Sequence, residues 1–171
     1  MSKNKNVKGI KKFIVLVLAI VMLAPMVAPT TVEAASGYGF KSKGVTVKPG
    51  GNASSFIDAN KSYYKSIKSA KSCIANKGYD VTRRYTYFTL VTYASDKNGK
   101  GKVEQIAITS KSVSTPEGLK CGNTVSKLKK CYKNAKKLGS NYYVTKGKTK
   151  ITFKIKSDKV TQITYLYTGK F

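Results

Sequence analysis

Apolar positions along this chain follow two periods, and the periods take turns. Val125, Leu128, Tyr132, Ala135 and Leu138 recur at spacings of three and four, with Asn123 or Thr124 placed as N-cap and Gly139 as terminator. That pattern predicts an amphipathic helix. Phe56, Ile57, Asn60, Tyr63, Tyr64, Ile67 and Ala70 keep a similar period earlier in the chain and predict another. After each run the period drops to two. Phe88, Leu90 and Thr92 oppose Tyr87, Thr89, Val91 and Tyr93, while Ile151, Phe153 and Ile155 alternate with lysine and threonine. Both stretches read as half-buried strands. Cys73–Arg84 shows no apolar alternation and reads as a loop.

The two halves share landmarks in the same order. KVEQIAI at Lys102–Ile108 matches KVTQITY at Lys159–Tyr165, and each follows a Ser-Asp-Lys turn, at Ser95 and at Ser157. Further back, Gly51-Asn52-Ala53 matches Gly122-Asn123-Thr124, and Gly44-Val45 matches Gly118-Leu119. The first half carries an additional Asn98-Gly99 hairpin-tip signal. Ordered recurrence of this kind predicts a tandem repeat. The expected organisation is a linker at 35–43, a first unit at 44–114 and a second at 115–171. Each unit reads helix first, then about three antiparallel strands. The expected fold class is therefore α+β, two tandem helix-then-meander units forming a joined sheet backed by both helices.

Residues 1–34 read as a signal peptide. Lys3, Lys5, Lys8, Lys11 and Lys12 precede the apolar run Phe13–Ala24, which is short for a bilayer span, and Val32-Glu33-Ala34 offers a cleavage site before Ala35. No cysteine stands there to carry a lipid. The expected product is secreted, extracellular or cell-wall associated, and free of the membrane after cleavage.

Charge then narrows the function. The full chain carries +26, and losing the five leader lysines and Glu33 leaves +22. Six carboxylates remain: Asp58, Asp80, Asp96, Glu104, Glu117 and Asp158. Such an excess attracts polyanions and resists self-association. Lys127, Lys129, Lys130, Lys133, Lys136 and Lys137 all avoid the apolar stripe of the second helix and are expected to form one cationic ridge. No nucleic-acid motif accompanies them, so nucleic acid would be held through charge alone.

Candidate chemistry is thin. The chain has no histidine, which removes the usual general base, and its cysteines lack CxxC spacing, which argues against a zinc site. No catalytic residue, metal ligand or cofactor site is expected. Asp96 and Asp158 fit turn chemistry better than a catalytic carboxylate pair. Cys73, Cys121 and Cys131 allow at most one disulfide. Cys121–Cys131 is the least favoured pair, because the helical rise puts them roughly 10 Å apart. Tyr85, Tyr87 and Tyr93 share one parity of a strand and are expected to form an exposed aromatic stripe.

The Gly-x-Thr-x-x-x-Leu opening at Gly122–Leu128, followed by a meander, resembles the tandem units of the β-lactamase inhibitory protein family. Ser72-Cys73, Gly78-Tyr79-Asp80, Tyr85-Thr86-Tyr87 and Thr115-Pro116-Glu117-Gly118-Leu119 are similar to small secreted or lipid-anchored repeat proteins of Gram-positive gut bacteria. The resemblance spans most of residues 44–167 and implies a fold more than an activity. The chain departs from the inhibitor pattern in its three unmatched cysteines, its lack of tryptophan and its basic charge. Two readings follow. One is a non-enzymatic binding module for an anionic cell-wall polymer or acidic protein, through lysine and tyrosine surfaces. The other, carried by the resemblance, is a protein-directed inhibitor or interaction partner using the concave face of the sheet.

Overall fold

The computed structural model describes residues 37–73, 75 and 77–171, so the expected signal peptide lies outside the described residues. A hairpin of β1 (Phe40–Ser42) and β2 (Val45–Val47) leads into helix α1 (Ser54–Ala59) and a 3-10 turn at Lys61–Tyr63. Strands β3 (Tyr64–Lys71), β4 (Tyr79–Tyr85), β5 (Phe88–Ala94) and β6 (Lys102–Ile108) follow. Helix α2 (Val125–Cys131) then precedes β7 (Lys136–Leu138), β8 (Asn141–Lys146), β9 (Thr149–Lys156) and β10 (Lys159–Tyr167). The last eight strands form one antiparallel sheet in the order β3-β4-β5-β6-β10-β9-β8-β7.

This overturns the α+β expectation. The fold is mostly β, with a large sheet and two helices of only six and seven residues, rather than two meander units backed by helices. Each helix stops early for a local reason. The Asn60 side chain, wholly buried, donates to the Phe56 carbonyl at 2.8 Å and accepts from the Ser42 hydroxyl at 2.6 Å, which fixes it at the end of α1. Tyr64, Ile67 and Ala70, expected on the helix, lie on β3 instead. Tyr132 ends α2 with non-helical φ and ψ of −128° and 78°. Its ring packs 4.9 Å from that of Phe153, and its hydroxyl donates to Glu117 at 2.5 Å. The chain beyond it leaves the helical path, and Lys136–Leu138 pairs with β8 as an edge strand. Leu138, expected on the apolar stripe, is 60% exposed.

The core lies on one face of the sheet. Leu90, Ile106, Ile151, Phe153 and Ile163 point into it with no exposed surface. The covering layer is the β1–β2 hairpin, both helices and the segment around Leu119 and Cys121. Phe40, in the stretch read as a linker, is wholly buried; its ring centroid lies 5.2 Å from that of Phe88 and 6.0 Å from that of Phe56. The segment read as a loop at Cys73–Arg84 holds all of β4 but its last residue, and the alternation there was masked because Arg83 occupies a core-facing position.

The two matching stretches are β6 and β10, and they pair at the middle of the sheet: Ile108 faces Ile163, and Ile106 faces Tyr165. Val103 and Ile106 are three apart, as are Val160 and Ile163, yet all four are buried. A regular strand would send residues three apart to opposite faces. A register shift in each strand resolves this, leaving Glu104 as the extra residue in β6 and Thr161 as the extra residue in β10. The chain before each helix is clasped to these bulges in the same way. Gly50 N–H donates to the Val103 carbonyl and Val103 N–H to that of Gly51; Gly122 N–H donates to the Val160 carbonyl and Val160 N–H to that of Asn123. Gly50 and Gly122 have φ of 83° and 91°, the left-handed conformation glycine adopts without strain.

Candidate functional site

Six lysines were expected on one helical ridge, and the structure distributes them. Lys127, Lys129 and Lys130 are exposed on α2, Lys133 is exposed in the turn after it, and Lys136 and Lys137 are exposed on β7. Neighbouring residues of a strand face opposite ways. Lys137 therefore shares the side of its partner Tyr142, and Lys136 that of Tyr143. Lys129 places its Nζ 5.7 Å from the Tyr142 ring, and Lys150 places its own 4.9 Å from the Tyr143 ring. The cations thus wrap both sides of this sheet edge rather than lining one ridge.

The three tyrosines expected as a stripe occupy three environments. Tyr85 is buried in the core, its ring stacked 4.6 Å from Phe88. Tyr87 lies in the β4–β5 turn, edge-on to Tyr63 at 4.9 Å. Tyr93 sits half-buried on β5, donates to the Lys77 carbonyl at 2.6 Å and packs against Phe171. They do not form a common aromatic face. On the sheet face away from the core, Thr89, Ala107, Thr164 and Thr152 run in register across β5, β6, β10 and β9, all half-buried. The row continues to Arg84 on β4 and Tyr143 on β8, so small residues hold the centre of that face and larger side chains stand at its flanks.

The carboxylates are dispersed. Asp58 bridges Lys61 at 3.4 Å and Lys100 at 2.7 Å, and the hydrogen bond from Lys100 holds its pKa below the usual value. Asp96 accepts from the Asn98 N–H at 3.0 Å, the turn role expected of it, and Asp158 lies in the β9–β10 turn with φ of 59°. Glu117 is tied to Tyr132. Among the described residues no group of three Cys, Asp or Glu side chains converges as a metal centre would require. The three cysteines are free; Cys121 is buried, and burial raises its thiol pKa.

Asp80 and Glu104 come nearest to an acid pair. Each has one buried carboxylate oxygen with no hydrogen-bond partner. Burial first, and Asp80 second, raise the Glu104 pKa. The folded state therefore holds this proton more tightly than the unfolded chain does. Its destabilising effect is absent below the ordinary carboxylate pKa and grows as pH rises through the folded value. Glu104→Gln is expected to raise the melting temperature at neutral pH, with the gain vanishing near about pH 4. Thermal unfolding of both proteins across this range checks it, and a gain equal at both ends would place the effect outside ionisation.

The site the sequence did not show is a cleft of about 600 Å³ beside the second bulge. Lys111, Lys156 and Lys159 line it with Thr109, Ser157 and Thr161, and the nearly buried Cys121 and Val160 border it. In sequence these lysines are lost in a lysine-rich background. The signals that could have located the cleft were the paired Val-x-Gln-Ile spacings, which require bulges, and the Ser157-Asp158 turn, which brings Lys156 and Lys159 to one hairpin end.

No protein-family model matches this chain, and no curated protein or solved structure matches it. Among the described residues, no helix is long and apolar enough to cross a membrane.

Proposed function

We propose that the chain is secreted and acts as a non-enzymatic binding module for an anionic cell-envelope polymer. One observation carries this reading. From Lys111 to the C-terminus the chain has fifteen lysines and two acidic side chains, Glu117 and Asp158. Glu117 is engaged by Tyr132, and both ion pairs among the described residues belong to Asp58 in the other half of the chain. The lysines around α2, β7, β8 and β9 thus stand unneutralised. A polymer that supplies their counter-charges releases bound counterions as it binds, so its affinity falls steeply with salt.

Binding to a polyol-phosphate polymer and to neutral dextran tests this. The charged polymer should bind at about 50 mM salt and be released by about 500 mM, while dextran should not bind at either, as charge screening requires. Changing Lys129, Lys130, Lys133 and Lys137 together to glutamine should weaken binding on the order of tenfold or more at low salt and flatten the salt dependence. The melting temperature should barely move, since exposed side chains contribute little to stability. Equal binding to both polymers, or affinity indifferent to salt, contradicts the proposal.

A further inference from the structure

The two bulge clasps share their backbone hydrogen bonds and differ in what covers them. At the first, the glycine is occupied: a side chain on Gly50 would run into the Tyr167 ring, which packs on Phe171 with centroids 5.0 Å apart. At the second, a side chain on Gly122 would meet the aliphatic stem of Lys111 first, at ordinary contact distance, and the space beside it is the open cleft. The bulge residues differ in the same sense. Glu104 has a buried, unpartnered carboxylate oxygen, whereas Thr161 lines the cleft with a hydroxyl that donates to the Lys154 carbonyl at 3.2 Å.

The shape of the second clasp is held by its frame. Val160 and Gly122–Asn123 exchange backbone hydrogen bonds of 2.7 and 2.9 Å, and Val125 N–H donates to the Asp158 carbonyl at 3.1 Å. The Ser157-Asp158 turn has φ of 49° and 59° at its two residues, the tight turn that suits a two-residue hairpin. Lys156 and Lys159 therefore flank one turn, with Lys111 opposite, and none of the three is in an ion pair. The Asp158 carboxylate is exposed and is not part of the lining.

We infer that this cleft seats a phosphate ester of a sugar or polyol, with Lys111, Lys156 and Lys159 as its counter-charges. The inference rests on the anionic-polymer reading and names the unit recognised. Three ammonium groups, with the Ser157 and Thr109 hydroxyls as further donors, suit an oxyanion with several charged oxygens better than a single carboxylate. The volume exceeds that of a bare oxyanion and lies in the range of small-molecule sites, so the aliphatic stem of Lys111 beside Gly122 can meet the carbon skeleton of the ester.

Glycerol 3-phosphate, titrated into the isotopically labelled secreted chain at about 150 mM salt, is expected to shift the amide resonances of Gly122, Ser157 and Thr161 saturably. Glucuronate should bind at least tenfold more weakly. Lys156→Gln with Lys159→Gln should weaken glycerol 3-phosphate about tenfold, whereas Lys65→Gln with Lys71→Gln, on the far edge of the sheet, should leave it unchanged. Unaltered affinity in the first variant, shifts confined to other residues, or equal affinity for glucuronate would overturn the assignment. Polymer binding by the unmodified chain, measured alongside, separates the two readings. If the polymer binds in a salt-dependent way while the cleft variant behaves like the parent, the cleft assignment fails and the polymer reading stands; if no polymer binds, that reading fails.

Discussion

Ile163→Ala is expected to remove about 2–5 kcal/mol of stability, the range for deleting a fully buried aliphatic side chain. Against a total of roughly 5–15 kcal/mol for a domain of ordinary stability, that is a large share. Ile163 has no exposed surface, and it faces Ile108 on one neighbouring strand and Phe153 on the other. It thus sits where the strands after α1 meet the strands after α2. The void would be lined by residues of β6, β9 and β10, which their ladders keep from collapsing inward. Chemical unfolding followed by circular dichroism measures the loss. Thr164→Ala supplies the comparison: its side chain lies on the other face of the same strand, half-buried, and should change stability by no more than about 0.5 kcal/mol. If the two substitutions cost the same, the assignment of faces in β10 is wrong.

The central pair was the most legible part of the sequence. Alternation of Ile106 with Ile108, and of Ile163 with Tyr165, identified strands because one face of each is buried and the other is not. Val103 and Val160 carried more information than alternation uses. Their three-residue offset from the next buried isoleucine can be met only by an extra residue, and both strands have one. The helices were misread because three-and-four spacing of apolar residues is satisfied equally by a short helix followed by a turn and an edge strand. Leu128 and Tyr132 do face the core, but Ala135 lies in the turn after α2 and Leu138 reaches its position through β pairing rather than helical continuation. Phe40 was overlooked because a single aromatic residue in a three-residue strand has no period to display. The cationic cleft stayed hidden because Lys111, Lys156 and Lys159 come from two distant segments that only the joining of β6 to β10 brings together.

Arg83 is the residue whose role the sequence concealed most completely, and its replacement should have the second large effect. It is 4% exposed and lies between Val81 and Tyr85 on the core-facing parity of β4. A charge in that position is costly unless its donors are satisfied. Burial pulls its pKa down, yet guanidinium remains charged at any ordinary pH. Its partners are neutral. Nη1 donates to the Thr92 hydroxyl at 3.1 Å, and Nη2 donates to the Asn98 and Gly99 carbonyls at 2.8 Å each. The fork therefore ties the tip of the β5–β6 hairpin to β4. That same tip meets α1 through Ala53 N–H on the Gly101 carbonyl and Lys100 on Asp58. Arg83→Ala removes the packing of the long side chain and strands acceptors that are partly shielded from water. The expected loss is about 2–4 kcal/mol, combining a core truncation with unpaired polar groups. Arg83→Lys should fall between the two, because one ammonium cannot reproduce the planar fork that reaches a hydroxyl and two carbonyls together. Hydrogen exchange gives the sharper readout. Amides of residues 96–101 should lose protection in Arg83→Ala beyond the global loss of stability, while those of β9 follow the global change alone. Uniform loss would mean that Arg83 supports the core without anchoring the hairpin; unchanged stability would mean that the cost of burying its charge cancels everything its three hydrogen bonds contribute.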